Sequence, residues 1–228
     1  MSNLVCILGP TGSGKSTSIK GLNPKETLIL ALKSVNKPLP FKGSRKLYSK
    51  EQNNYFTLNS YSDFLKYMQS ASDNLKNVKN IILEDATYIM RTEFFDRAAE
   101  KTYDKFTDLA DHFRQIVAKG TSLRDDLNVF IFLHTDTEDT DGRVIRYKAA
   151  TVGKLLDKQY NVLESVTTTL VALPKYKEDG TPEYGFYTNR CLVDGIEVPA
   201  KSPDGMFAEL FIPNDLALVV KAMNEYYG

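Results

Sequence analysis

No charge of either sign is in excess: 29 Lys and Arg face 29 Asp and Glu in 228 residues. A balanced chain has no global basic field, so contact with nucleic acid would have to come from a local patch. Cysteine is nearly absent. Cys6 and Cys191 stand far apart with no C-x-x-C, which points to reduced thiols in a cytosol-like compartment. No apolar run approaches the length of a membrane span. The N-terminal run Leu4 to Leu8 is too short for a signal peptide and has no basic segment before it. The expectation is a soluble protein of the cytoplasm. Repeats, low-complexity tracts and convincing linkers are also missing, so residues 1–228 are expected to form a single α/β domain, long enough for a proper core.

Against these absences stands one dense motif. Gly9, Pro10, Thr11, Gly12, Ser13, Gly14, Lys15 and Ser16, followed by Thr17, fit the phosphate-binding pattern G-x-x-x-x-G-K-S/T. The apolar run Leu4-Val5-Cys6-Ile7-Leu8 before it reads as a buried parallel strand, and Ser16 to Lys20 can open a helix. Glycines let the backbone curl so that N–H groups point at phosphate oxygens, and a helix N-terminus adds free donors and a positive dipole end. Lys15 supplies a point charge for β- and γ-phosphates, and the Ser16 hydroxyl is suited to ligate Mg²⁺.

A phosphate loop needs a partner acid. Val78 to Leu83 reads as a strand leading into Glu84-Asp85, which places carboxylates at a strand end beside the loop. One of the two is expected to hold Mg²⁺ with Ser16, and the other to orient or deprotonate the attacking water. Glu84 for the metal and Asp85 for the water is the preferred division. Val129 to Leu133 is another buried strand; it should end at His134, placing a polar group that can sense phosphate or water, or simply bond the strand end. Lys148 and Lys154 are candidates to reach a nucleotide in a neighbouring subunit.

Elsewhere the patterning is coarser. Thr27 to Leu32 reads as the second strand. Lys33, Lys37, Lys42, Arg45, Lys46 and Lys50 follow without an acid between Glu26 and Glu51, with Phe41 and Tyr48 interleaved. Such a loop either follows single-stranded nucleic acid, stacking bases on its aromatics, or is a solvated flank of the nucleotide site. Ser60 with Asp63 suggests a capped helix presenting Tyr61, Phe64, Leu65 and Met68. Thr92 to Lys119 carries a helical period through Phe95, Phe106, Leu109, Phe113 and Ile116, broken near Tyr103 to Thr107. Asp141-Gly142 predicts a hairpin turn before Val144 to Lys148. Strands continue at Val166 to Leu173 and Tyr184 to Asn189, and Pro213-Asn214-Asp215 caps a last helix.

Taken in order, GPTGSGKST, KPLPFKG (Lys37 to Gly43), IILEDATYIMRTEFFDRA (Ile81 to Ala98), FLHTD (Phe132 to Asp136), the segment around VGKLLD and AKSPDGMF (Ala200 to Phe207) resemble a family of phage-encoded RecA-like P-loop ATPases of the AAA kind, including Sak-type single-strand annealing ATPases. That family has two aspartates where this chain has Glu84-Asp85. The resemblance implies a RecA-like core with a mostly parallel sheet and an antiparallel C-terminal extension. It also implies ATP with Mg²⁺, a homo-oligomer, and work on phage single-stranded DNA alongside a single-strand-binding protein. Two other readings stay open. One is a small-molecule (nucleotide) kinase, for which Asp96-Arg97 is a faint hint; the other is a nucleotide-gated binding module with little turnover.

Overall fold

The computed structural model describes residues 1–102, 104–152 and 160–228. Its apolar runs are strands of one sheet covered on both sides. β1 (Asn3–Gly9), β2 (Thr27–Leu32), β3 (Tyr55–Leu58), β4 (Asn80–Glu84), β5 (Asn128–Thr140), β6 (Arg143–Ala149) and β7 (Thr168–Ala172) come first along the chain. Within the main sheet the order is β3-β2-β4-β5-β1-β7, every neighbour parallel. After the small hairpin of β8 (Lys175–Tyr176) and β9 (Pro182–Glu183), β10 (Gly185–Tyr187) adds to β7 in the antiparallel sense, and β13 (Phe211–Pro213) adds to β10 likewise. The expected mostly parallel sheet with an antiparallel extension is therefore present.

Because successive side chains of a strand point to opposite faces, each central run feeds two cores. Leu4, Cys6, Leu8, Leu30, Ile81, Leu83, Val129 and Ile131 face one way, toward α2 (Tyr61–Asn74, with α1 being the short turn Ser44–Leu47) and α4 (Asp104–Thr121). Val5, Ile7, Ile29, Ile82, Phe130 and Phe132 face the other, toward a 3₁₀ turn at Ser16–Gly21 and the last helix, α5 (Leu216–Tyr227). Burial on both faces is why these strands read as near-continuous apolar runs. Phe130, on a central strand and fully buried, sets the scale of what packing contributes. Phe130→Ala is expected to lower stability by about 3–5 kcal/mol in urea unfolding, through lost transfer energy and the cavity left behind.

Several local expectations are corrected. The strand from Val129 does not end at His134; it leaves the parallel sheet there and runs on to Thr140, pairing antiparallel with β6. The turn at its tip is the expected one, with Asp141 at φ 53° and Gly142 at φ 77°, the left-handed pair a two-residue hairpin requires. β6 then pairs with β12 (Ile196–Val198), which pairs with β11 (Cys191–Val193), giving a side sheet. The long helical period is split earlier than expected. α3 (Thr87–Asp96) starts two residues after Asp85 and stops where Arg97 folds back onto Glu93, Glu100 and Asp108. As a result Phe95 is 70% exposed, and Phe94 packs on Phe106 instead. Asp63 does not complete a capping box with Ser60; it accepts from the Asn59 N–H at 3.1 Å. Asp215 does cap α5, accepting from Ala217 N–H at 2.8 Å.

Candidate functional site

The parallel register brings the predicted residues to one edge. β1 pairs Gly9 with His134 on β5, and β2 pairs Ala31 with Glu84 on β4. Gly9 and His134 thus stand side by side, and Glu84, one residue beyond the Leu83–Ile131 pair, closes β4 toward the same carboxyl edge, where α/β sheets hold ligands.

The loop itself is built by close approach. A Cβ on Gly9 would collide with Ser13 Oγ and meet the Ala172 carbonyl at 2.6 Å, so only glycine fits between β1 and β7. Gly14 has φ 95°, and its carbonyl accepts from Asn214 Nδ2 at 2.9 Å. Lys15 is folded back on the loop, donating from Nζ to the carbonyls of Gly9 (2.6 Å) and Pro10 (3.0 Å). Burial pushes its ammonium down to about 8, against the pull of Asp85 and Glu84. The expected helix after the loop is the six-residue 3₁₀ turn Ser16–Gly21, too short for a sizeable helix dipole, so an anion held here would rely on the local backbone donors of the loop.

The two acids differ in their surroundings. Glu84 is 5% exposed, its Oε1 accepts from Ser16 Oγ, and its Oε2 is buried without a hydrogen-bond partner. Burial raises its carboxyl to about 7. Asp85 lies in the left-handed region at φ 50°, sparsely populated for residues other than glycine. That turn aims its carboxylate between Lys37 and the His134 ring: Lys37 Nζ is 2.6 Å from Oδ2 and His134 Nε2 is 3.3 Å from Oδ1. Burial pushes Asp85 up, but its contacts with His134 and Lys37 outweigh burial and hold it at about 2. The turn is fixed to β5 twice, by Ala86 N–H on the Phe132 carbonyl (2.8 Å) and by His134 N–H on Thr87 Oγ1 (2.9 Å). The edge of Tyr88 meets the His134 ring at 5.7 Å.

These groups border a cavity of about 670 Å³, lined by Thr11 to Thr17, Lys37, Glu84, Asp85, His134, Tyr184 and Asn214 among others. Of the predicted loop residues, Gly9 and Pro10 do not line it; they hold Lys15. The volume suits a nucleotide-sized ligand. A larger groove of about 840 Å³ between α2 and α4 contains none of this chemistry. A divalent cation fits the residues present. Glu84 Oε2 is an orphaned buried oxygen beside the Ser16 hydroxyl. No group of three or more His, Cys, Asp or Glu forms a closed cage among the described residues. Mg²⁺ is bound in this open way, by one or two protein oxygens with waters and substrate phosphates completing its shell.

Sequence reasoning missed Lys37, Tyr184 and Asn214 as lining groups. The basic stretch is in fact divided. Lys37 enters the cavity, whereas Lys42, Arg45 and Lys46 are exposed on the surface. Tyr48 is 4% exposed and Phe41 packs edge-on against it at 6.3 Å, so Tyr48 belongs to the core and cannot stack a base. Arg97 is held by three carboxylates and does not line the cavity, which removes the kinase hint. Lys148 lies on β6 outside the cavity, and Lys154 falls outside the described residues.

A strand, a glycine-rich phosphate loop and an acid-ended strand two places away define an α/β protein of the P-loop class. The chain belongs to the AAA domain family, whose pattern matches residues 1–191. It is similar to a solved KaiC-like protein of the hyperthermophilic archaeon Pyrococcus horikoshii OT3, with 8% identity and a TM-score of 0.48 over 86% of this chain and 88% of that one. No curated protein matches it. Among the described residues no helix is long and apolar enough to cross a membrane.

Proposed function

We propose that this chain is a RecA-like, Mg²⁺-dependent ATPase that binds ATP in the 670 Å³ cavity and hydrolyses it. The observation that carries the reading is the hydrogen bond from Ser16 Oγ to Glu84, which joins the end of the phosphate loop to a buried carboxylate with a free oxygen. In this scheme the loop N–H groups and Lys15 bind the β- and γ-phosphates. Ser16 and Glu84 hold Mg²⁺, which when bound neutralises charge on the phosphate oxygens. Asp85, kept ionised and oriented by His134, positions the attacking water. The water oxygen attacks the γ-phosphorus, the bond to the β-bridging oxygen breaks, and ADP and phosphate leave, the water's proton passing to the phosphate or to solvent.

The finer reading is a single-domain, oligomeric phage ATPase working on single-stranded DNA in recombination or replication. It is supported by the family resemblance and by the exposed cations Lys42, Arg45 and Lys46. ATP hydrolysis with and without single-stranded DNA, with oligomeric state followed in parallel, tests both levels. Turnover without DNA stimulation keeps the ATPase and drops the DNA role; nucleotide affinity with negligible turnover makes the chain a gated binding module. If DNA binds through the surface patch, changing Lys42, Arg45 and Lys46 together to Ala should flatten the salt slope by about 2, from roughly 0.7 per phosphate contact. ATP affinity should hardly change. Fluorescence anisotropy across a salt series reads this, and an unchanged slope in the triple variant removes the patch from the DNA role.

A further inference from the structure

We propose that Lys37 makes this site discriminate a nucleoside triphosphate from a diphosphate, resting on Asp85 until a terminal phosphate draws it across. This rests on the nucleotide-binding reading above and adds the residue that reads phosphate number. Lys37 Nζ sits 2.6 Å from Asp85 Oδ2 and lines the same cavity as Lys15 and Ser16. Among the described residues lining that cavity, Lys15 and Lys37 are the lysine and arginine cations, and they oppose Glu84 and Asp85. Lys15 is tied to the loop, donating to the Gly9 and Pro10 carbonyls, and from there meets the β-phosphate that both nucleotides carry as well as the γ-phosphate. Lys37 reaches the cavity at Asp85, the acid placed to position water.

The backbone around Lys37 is anchored while its side chain is not. Tyr55 donates its hydroxyl to Asn36 Oδ1 at 2.9 Å on one side. On the other, Leu39 is buried and its carbonyl accepts from Ser44 Oγ at 2.8 Å. Pro38 and Pro40 flank Leu39 and restrict the chain further. The Lys37 side chain is 60% exposed, so its four-carbon stem can swing without moving the loop. A γ-phosphate brings more negative charge than one carboxylate and competes for the ammonium. A diphosphate ends one phosphate short and leaves the Lys37–Asp85 pair in place.

The test is calorimetric titration of Mg²⁺ with ATPγS and, separately, with ADP into wild type, Lys37→Met and Lys37→Arg, with melting curves to confirm folding. Lys37→Met should weaken ATPγS binding about 10–100-fold, the loss of one charge-assisted contact, and change ADP binding by no more than about twofold. Lys37→Arg should recover most of the preference. If Lys37→Met does not fold, the double variant with Asp85→Asn, which leaves no carboxylate unpaired, carries the same measurement. Equal losses for both nucleotides, or none for either, overturn the inference while the nucleotide site stands. A wild type that binds neither nucleotide overturns both.

Discussion

Lys15→Ala is expected to lose ATP hydrolysis by about 100- to 1,000-fold, the scale of deleting one charged stabiliser of a developing anion, and to remain folded. The second half is as informative as the first. Without ligand, Lys15 is 6% exposed and its ammonium is held down to about 8 by burial. An amine whose folded pKa lies below its ordinary 10.5 holds its proton more weakly in the native state. Its burial therefore weighs against folding below pH 8, and the penalty fades as the pH rises toward 10.5. Truncation removes that penalty together with the two hydrogen bonds to the loop, so a melting temperature close to wild type is expected at neutral pH. A folded Lys15→Ala protein with normal turnover would remove the loop from the active site.

The second large effect separates the acids. Glu84 has its carboxyl raised to about 7 from 4.5 by burial. The native state therefore holds this proton more tightly than the unfolded chain does. The contribution is most favourable below pH 4.5, declines as the pH rises to 7, and stays at its minimum above that. Glu84→Gln cannot ionise. In chelator, without nucleotide, it should be more stable than wild type at pH 8, by on the order of 2–3 kcal/mol, and this advantage should shrink by pH 5. With ATP the same substitution should shift the Mg²⁺ requirement of hydrolysis upward by tenfold or more, since the orphaned Oε2 that would face the cation is gone. Asp85→Asn should leave the Mg²⁺ requirement near wild type and lower turnover. Denaturation across pH, together with Mg²⁺ titrations of activity, checks both. Opposite behaviour reverses the two roles, and no effect in either variant ends their assignment to the site.

What could be read in advance was local in sequence or enforced by the sheet. Gly9 to Ser16 is contiguous, so its chemistry is legible from residue types alone. Glu84 and His134 were legible because each follows an apolar run buried in the parallel sheet; that β5 continues past His134 to Thr140 was not. Asp141-Gly142 announced its turn because few residue pairs accept two left-handed conformations. Lys37 was indistinguishable from Lys42 or Lys46 in the string. Only the anchoring of Asn36 by Tyr55 and the burial of Leu39 decide which cation turns inward. Asn214 and Tyr184 reach Gly14 because antiparallel strands β10 and β13 return the end of the chain to its beginning, a pairing no short window contains. Tyr48 misled because charged neighbours surround it, while its ring packs with Leu22, Leu39 and Phe41 under the loop.

The position of β1 sets the order in which a nascent chain can become competent. Its sheet neighbours are β5 and β7, with Asn3 against Asn128 and Val5 against Thr168. Contacts so distant in sequence cannot form until the later strand has been made. The glycine-rich loop precedes both of its supports in the chain: the Ala172 carbonyl that walls Gly9 and the Asn214 amide that fastens Gly14 are made well after it. Until then Gly9 to Ser16 is a flexible glycine-rich tract with nothing to hold its curl. Nucleotide bound as proposed should therefore stabilise only chains that extend through Asn214.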